Sequence, residues 1–196
     1  MNIGFDVDGV IVNTEEMFRA YAEIYDIEKF GKDTIKNPTD YYIQNRYSWD
    51  QDSINEFIST AFLECSKNSN ILAGVDIVIK KLKKLGHKLI VISARGQESE
   101  EMITVIEEKF KKYGLEFDKI YWKTPEKLDI CKKEKIDIMI DDRPETCLTL
   151  SENNIHAFYF REKDRPFLQD NKYLTTVTNW GEIYKKIILF SQETNK

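Results

Sequence analysis

Two carboxylates, Asp6 and Asp8, sit in the opening segment MNIGFDVDGV, two residues apart and followed directly by Gly9. Ile3, Phe5, Val7 and Val10 around them are apolar, so the acids interrupt a segment otherwise suited to a core. Alternate residues of a strand share a face, so the two side chains point the same way if the strand runs through both, and bracket a turn if it ends between them. Gly9 permits a sharp turn and a close backbone approach. Two adjacent buried carboxylates repel unless a cation or a proton lies between them, so the pair asks for a metal, a shared proton or both. A calcium loop also begins D-x-D, but it needs Gly at its sixth position and Glu at its twelfth. Counted from Asp6 those positions are Ile11 and Met17, and a strand instead of a helix comes before them.

Three other segments carry polar groups to what read as strand ends. ISARG (92–96) offers the Ser93 hydroxyl and the backbone N–H groups that follow it, and IDDRP (140–144) offers Asp141 and Asp142. In WKTPEKLD (122–129), Thr124 reads as a helix N-cap, Pro125 as the first helical residue and Lys127 as a cation in the first turn. Lys123, four residues earlier, is the alternative cation. Arg95 and Arg143 adjoin these motifs, where they can meet a phosphate or sugar or pair with an acid such as Glu98 or Glu145.

The elements that must position these groups alternate strand and helix. Strands are expected over 2–8, 86–94, 117–123, 135–142 and 156–160, the second with the continuous apolar run of a strand buried on both faces. Helices are expected over 76–86 and 98–114, each stopped by glycine, and over 178–192. Residues 161–174 read as a long loop. This alternation predicts an α/β fold with a doubly wound parallel sheet, whose ligands sit beyond the carboxyl ends of the strands near a switch in strand order. Residues 14–73 break the alternation, being helical and aromatic without a convincing strand. They are expected to form a helical cap above the strand ends, with residues 1–13 and 74–196 making the α/β core. The cap carries Phe18, Tyr41, Tyr42, Tyr47 and Trp49, aromatic faces suited to stacking on a flat base.

DVDGV, then VISAR, then a lysine, then IDD, with a helical insert after the first motif, resembles the haloacid dehalogenase-like phosphohydrolase superfamily over nearly the whole chain. The insert position and the IDDRPE ending look most like the 5'(3')-deoxyribonucleotidase branch and its bacterial nucleotidase relatives. The resemblance implies a Rossmann-type core and a Mg²⁺-dependent phosphomonoesterase. Asp6 would be the nucleophile, giving an aspartyl-phosphate, and Asp8 the general acid and base. The metal would be held by Asp6, the Asp8 backbone carbonyl and Asp142, with Asp141 as the fallback. Ser93, Ala94 and Lys127 would hold the phosphate, with Arg95 and the cap aromatics reaching the rest of the substrate.

The substrate expected is a nucleoside monophosphate. The alternatives are a sugar phosphate, phosphoglycolate or the 3'-phosphate of a polynucleotide. A binding protein without catalysis is a further alternative, against which both acids of the first motif stand. Composition narrows these readings. The 196 residues have a formal net charge of −5, which argues against a polymeric nucleic acid partner. Cys65, Cys131 and Cys147 are odd in number and widely spaced, as expected of a reducing cytoplasmic setting instead of a disulfide framework or a zinc site. No leader is expected from the first residues, and no apolar run is long enough to span a membrane.

Overall fold

The computed structural model describes residues 1–97, 99–161 and 165–194. Six strands form one sheet: β1 (Asn2–Phe5), β2 (Lys88–Ile92), β3 (Lys119–Tyr121), β4 (Ile138–Asp141), β5 (His156–Phe160) and β6 (Leu174–Val177). Their order is β3-β2-β1-β4-β5-β6 and every neighbouring pair is parallel. The direction of winding reverses between β1 and β4, so the crevice at their carboxyl ends is where an open α/β sheet places its ligand.

The alternation of side chains across the sheet sorts the core into two layers. Ile3, Phe5, Leu89, Val91, Ile138 and Ile140 face one side, against α4 (Val75–Lys84), α5 (Glu100–Tyr113) and α8 (Trp180–Thr194). Ile90, Ile92, Met139 and Tyr159 face the other, against α6 (Leu128–Lys133) and α7 (Pro144–Glu152). Both faces are covered, which is why the strands carry continuous apolar runs. Gly4 is tightly placed, because a Cβ there would come within 2.5 Å of Met139 Sδ. Trp180 anchors the closing helix, stacking on Phe5 with ring centroids 5.6 Å apart and donating its indole N–H to the Val10 carbonyl at 2.8 Å.

Between β1 and α4 lie α1 (Thr14–Phe30), α2 (Ile43–Arg46) and α3 (Gln51–Asn68). They gather a separate apolar cluster containing Ala22, Ile43, Tyr47, Trp49, Ile54, Phe57, Ala61 and Cys65. Asp26 ties this cluster together, accepting from Thr34 N at 2.9 Å, from Thr34 Oγ1 and from Trp49 Nε1 at 2.6 Å.

Several sequence expectations are corrected here. The strand expected over 2–8 ends at Phe5, and one further bond, Asp6 N–H to the Ile140 carbonyl at 2.9 Å, continues the ladder. Asp6 and Asp8 therefore lie past the end of the strand, on either side of a bend at Val7 and ahead of the turn over 9–11. The helix expected from Thr124 begins at Leu128 with Lys127 at its N-cap, because Thr124 Oγ1 instead bonds the Trp122 carbonyl. The loop expected over 161–174 leads into a strand that was not anticipated, β6. Only Leu174 and Val177 of its four residues are buried, so it has almost no pattern of its own and depends on pairing with β5. Residues 98 and 162–164, parts of the expected helix and loop, lie outside the described residues.

Candidate active site

Asp6 lies just past the end of β1, 6% exposed, at the wall of a cavity of about 250 Å³. The same cavity is lined by Asp8, Gly9, Ser93, Ala94 and Asp142 from the strand ends, and by Phe18, Tyr41 and Phe62 from the helical insert. Glycine is required at position 9. Its φ is +67°, and a Cβ would come within 2.0 Å of Asp142 Oδ2 and 2.9 Å of Arg165 Nη2.

The buried cations have specific carboxylate partners. Lys127 is 4% exposed, with Nζ 2.9 Å from Asp6 Oδ1 and 2.5 Å from Asp141 Oδ2. Arg95 forks onto Asp8, with Nε 3.0 Å from Oδ2 and Nη2 on Oδ1. Thr14 Oγ1 donates to Asp8 Oδ1 at 2.8 Å. Arg165 pairs through Nη2 with Asp142 Oδ2, and its Nη1 donates to the Asp142 carbonyl at 2.8 Å. Its guanidinium lies 3.9 Å from the centre of the Tyr41 ring. Four carboxylates thus face three buried cations around the cavity.

That imbalance shows in the protonation of the acids. Burial pushes Asp6 up to about 6; Lys127 opposes the shift, while Asp141 and Asp8 add to it. Burial also holds Asp142 well above the usual carboxylate range, against the pull of Arg165 and with the push of Asp6 and Asp141. On Lys127 burial pulls downward, but Asp141 and Asp6 outweigh it and raise the ammonium above its ordinary value. A divalent cation would relieve the crowding, and the donor set fits one. Carboxylate oxygens of Asp6, Asp141 and Asp142 lie within 4.8 Å of one another, and the cluster contains no His or Cys. An all-oxygen set of few carboxylates with room for water suits Mg²⁺.

The neighbours that the sequence left open have different surroundings. Lys127 is the buried cation at Asp6, whereas Lys123 faces outward and pairs with Glu100. Asp142 lines the cavity. Asp141 is turned to Lys127 through Oδ2 and accepts from the Arg143 N–H through Oδ1 at 2.9 Å. Arg95, for which pairing with an acid was one of the expectations, pairs with Asp8; Glu98 itself lies outside the described residues.

The aromatic candidates divide. Phe18 and Tyr41 reach the cavity. Tyr42 bonds Glu145 Oε1 at 2.8 Å. Tyr47 and Trp49 do not reach the cavity, because they stack on each other inside the insert's own core, 0% and 6% exposed. Thr14, Glu15, Phe62 and Arg165 line the cavity without being among the sequence candidates. Phe62 is one apolar residue among several on α3, and Arg165 sits in a segment read as loop, with no motif to mark it. Its 2% exposure is a product of the fold alone.

No family profile matches the chain. A "putative nucleotidase" of Oceanobacillus iheyensis is 25% identical over 199 aligned positions, covering 93% of this chain and 96% of that protein. Among solved structures, a haloacid dehalogenase-like family hydrolase from Streptococcus pneumoniae superposes with a TM-score of 0.63 at 13% identity, over 96% of this chain and 97% of the other. A "putative phosphoglycolate phosphatase" from Lactobacillus delbrueckii subsp. bulgaricus gives a TM-score of 0.66 at 15% identity, over 95% and 97%. The chain has the haloacid dehalogenase-like hydrolase fold.

Proposed function

We propose that the protein is a Mg²⁺-dependent phosphomonoesterase acting through an aspartyl-phosphate on Asp6. The observation that carries this reading is the placing of Asp6: a buried carboxylate at the cavity wall, 2.9 Å from a buried lysine and within a cluster of oxygen donors. Asp6, Asp142 and the Asp8 carbonyl would hold the cation, which when bound neutralises phosphate charge and lets two anions approach.

Asp6 Oδ attacks phosphorus, and the bond from phosphorus to the ester oxygen breaks. Asp8 gives its proton to that leaving oxygen. Water then attacks the aspartyl-phosphate, and Asp8 takes its proton. The bond from phosphorus to Asp6 breaks, releasing inorganic phosphate. Splitting the hydrolysis in two is the gain from a covalent nucleophile. Ser93 and the Ala94 N–H line the cavity beside Asp6 and are assigned to the phosphate oxygens, with Lys127 balancing their charge. Residues 14–73 act as the cap that keeps bulk water from the intermediate.

A nucleoside monophosphate is the preferred substrate. Phe18, Tyr41 and Phe62 present rings to the cavity, and the full-length relative from Oceanobacillus iheyensis bears a nucleotidase name. One observation favours a smaller ester. About 250 Å³ lies below the ~300–1,000 Å³ usual for drug-sized ligands, so a nucleotide would extend through the open mouth of the cavity or need the cap to shift outward.

Phosphate release from deoxy- and ribonucleoside monophosphates, sugar phosphates and phosphoglycolate, with Mg²⁺ or EDTA, tests both points. Metal-dependent release lost in Asp6→Asn supports the mechanism, and the preferred ester identifies the substrate class. Release that persists in Asp6→Asn refutes the mechanism.

A further inference from the structure

Arg165 holds Asp142 at two points. Nη2 pairs with the carboxylate oxygen Oδ2, and Nη1 donates to the main-chain carbonyl of the same residue at 2.8 Å. A planar guanidinium that spans a side-chain oxygen and a main-chain oxygen fixes the torsion between them as well as the distance. Both side chains are buried. The Tyr41 ring backs the guanidinium at 3.9 Å, and Gly9 packs so closely that a Cβ there would stand 2.0 Å from Oδ2. Oδ2 is thus committed to Arg165, and Oδ1 is the oxygen of Asp142 left without a donor among the described residues.

The other acids of the cluster are restricted in a similar way. Lys127 Nζ lies 2.9 Å from Asp6 Oδ1, which leaves Oδ2. Asp141 has donors on both oxygens, Lys127 on Oδ2 and the Arg143 N–H on Oδ1. A cation among these acids therefore meets single oxygens and no bidentate carboxylate. That suits Mg²⁺, which takes a regular octahedron and keeps several waters. Ca²⁺ takes roughly six to eight oxygens and often gathers them through bidentate carboxylates. The two ions carry the same charge, so the number of oxygens on offer is what separates them.

We propose, on the reading of Asp142 as a ligand of the cation site above, that Arg165 is a positioning residue that limits Asp142 to one metal-facing oxygen and thereby selects Mg²⁺ over Ca²⁺. Removing the guanidinium changes the charge seen by both ions alike, and that effect cancels in the ratio of their affinities. General loosening of the site weakens both ions and also leaves the ratio. Freeing Oδ2 does not cancel, because only the larger ion takes both oxygens of one carboxylate.

The test is calorimetric titration of Mg²⁺ and, separately, Ca²⁺ into substrate-free wild type, Arg165→Leu and Arg165→Lys. Arg165→Lys keeps a cation beside Asp142 should Arg165→Leu not fold, but a single ammonium has no planar fork to hold both oxygens. The Ca²⁺ Kd divided by the Mg²⁺ Kd is expected to fall about tenfold or more in Arg165→Leu, and by a smaller factor in Arg165→Lys. Crystals grown with Ca²⁺ are expected to show one Asp142 oxygen on the ion in the wild type and both in Arg165→Leu. The proposal is overturned if either folded variant keeps the wild-type ratio, or if wild-type Asp142 binds Ca²⁺ through both oxygens. A wild-type protein that binds neither ion would overturn the cation site itself and this inference with it; binding of both ions with an unmoved ratio overturns the role of Arg165 alone.

Discussion

Replacing Lys127 by methionine keeps the length of the side chain and removes the charge that lies between Asp6 and Asp141. The ammonium is 2.9 Å from one carboxylate and 2.5 Å from the other, and all three groups are buried. At an effective dielectric of about 20, unit charges ~3 Å apart attract by roughly 5–6 kcal/mol, so two such contacts exceed what desolvation of one ammonium takes back. Removing one partner of a buried ion pair costs about 3–5 kcal/mol, because the remaining charge is left uncompensated. For a chain of this size that corresponds to a fall in Tm on the order of 10 °C.

Turnover should fall about 10²–10³-fold, since the same ammonium balances the charge developing on phosphate. Calorimetry with EDTA and with Mg²⁺ gives the sign test. Mg²⁺ should raise Tm more in Lys127→Met than in the wild type, because the crowded carboxylates then have only the metal to relieve them. Adding Asp141→Asn should recover part of the stability and none of the turnover. A Lys127→Met protein that melts within about 1 °C of the wild type, or turns over at its rate, would refute the reasoning.

Asp8→Ala should lower kcat about 10²–10⁴-fold while leaving Mg²⁺ affinity, read by calorimetry, near the wild-type value, since the backbone carbonyl survives. A loss of affinity matching that of Asp6→Asn would contradict this. Gly9→Ala combines a left-handed φ of +67° with a Cβ 2.0 Å from Asp142 Oδ2, so it should separate Asp142 from Arg165 and weaken Mg²⁺ binding even where the protein folds. At Asp26, burial favours the neutral acid, but the bonds from Thr34 and Trp49 outweigh it and hold the folded value below the ordinary one. A lowered folded value means that this stabilisation is present above about pH 4, the unfolded value, and is lost as pH falls through the folded one. The Trp49 environment should therefore change on acidification below about pH 4, and the same change should appear at neutral pH in Asp26→Ala; an acid-induced change that persists unaltered in Asp26→Ala would point to another group.

Local patterns made much of this protein legible from the chain alone. The apolar runs of β1, β2, β4 and β5 are dictated by burial on both sheet faces, and strands so patterned with helices between them admit few arrangements besides a parallel α/β sheet. The acids interrupt those runs at their carboxyl ends, so Asp6, Asp8, Asp141 and Asp142 could be assigned to one edge before any contact was known. β6 was missed because two threonines in a four-residue edge strand carry no such pattern.

What only the tertiary structure decided were choices between chemically equal neighbours and contacts between distant segments. Lys123 and Lys127 are alike in sequence; a backbone turn with φ of 57° at Lys123 sends one outward, and the N-cap of α6 sends the other to Asp6. Tyr47 and Trp49 have the same aromatic faces as Phe18 and Tyr41, but the insert needed a core of its own and took them for it. Arg165 stands far along the chain from Asp142 and Tyr41 in a segment without periodicity, and nothing local could announce the pairing. Spacing along a chain reports which face a residue shares with its neighbours in an element. Which distant charge it meets is set by how the elements pack, where a buried cation is stable only against the carboxylate that the fold brings to it.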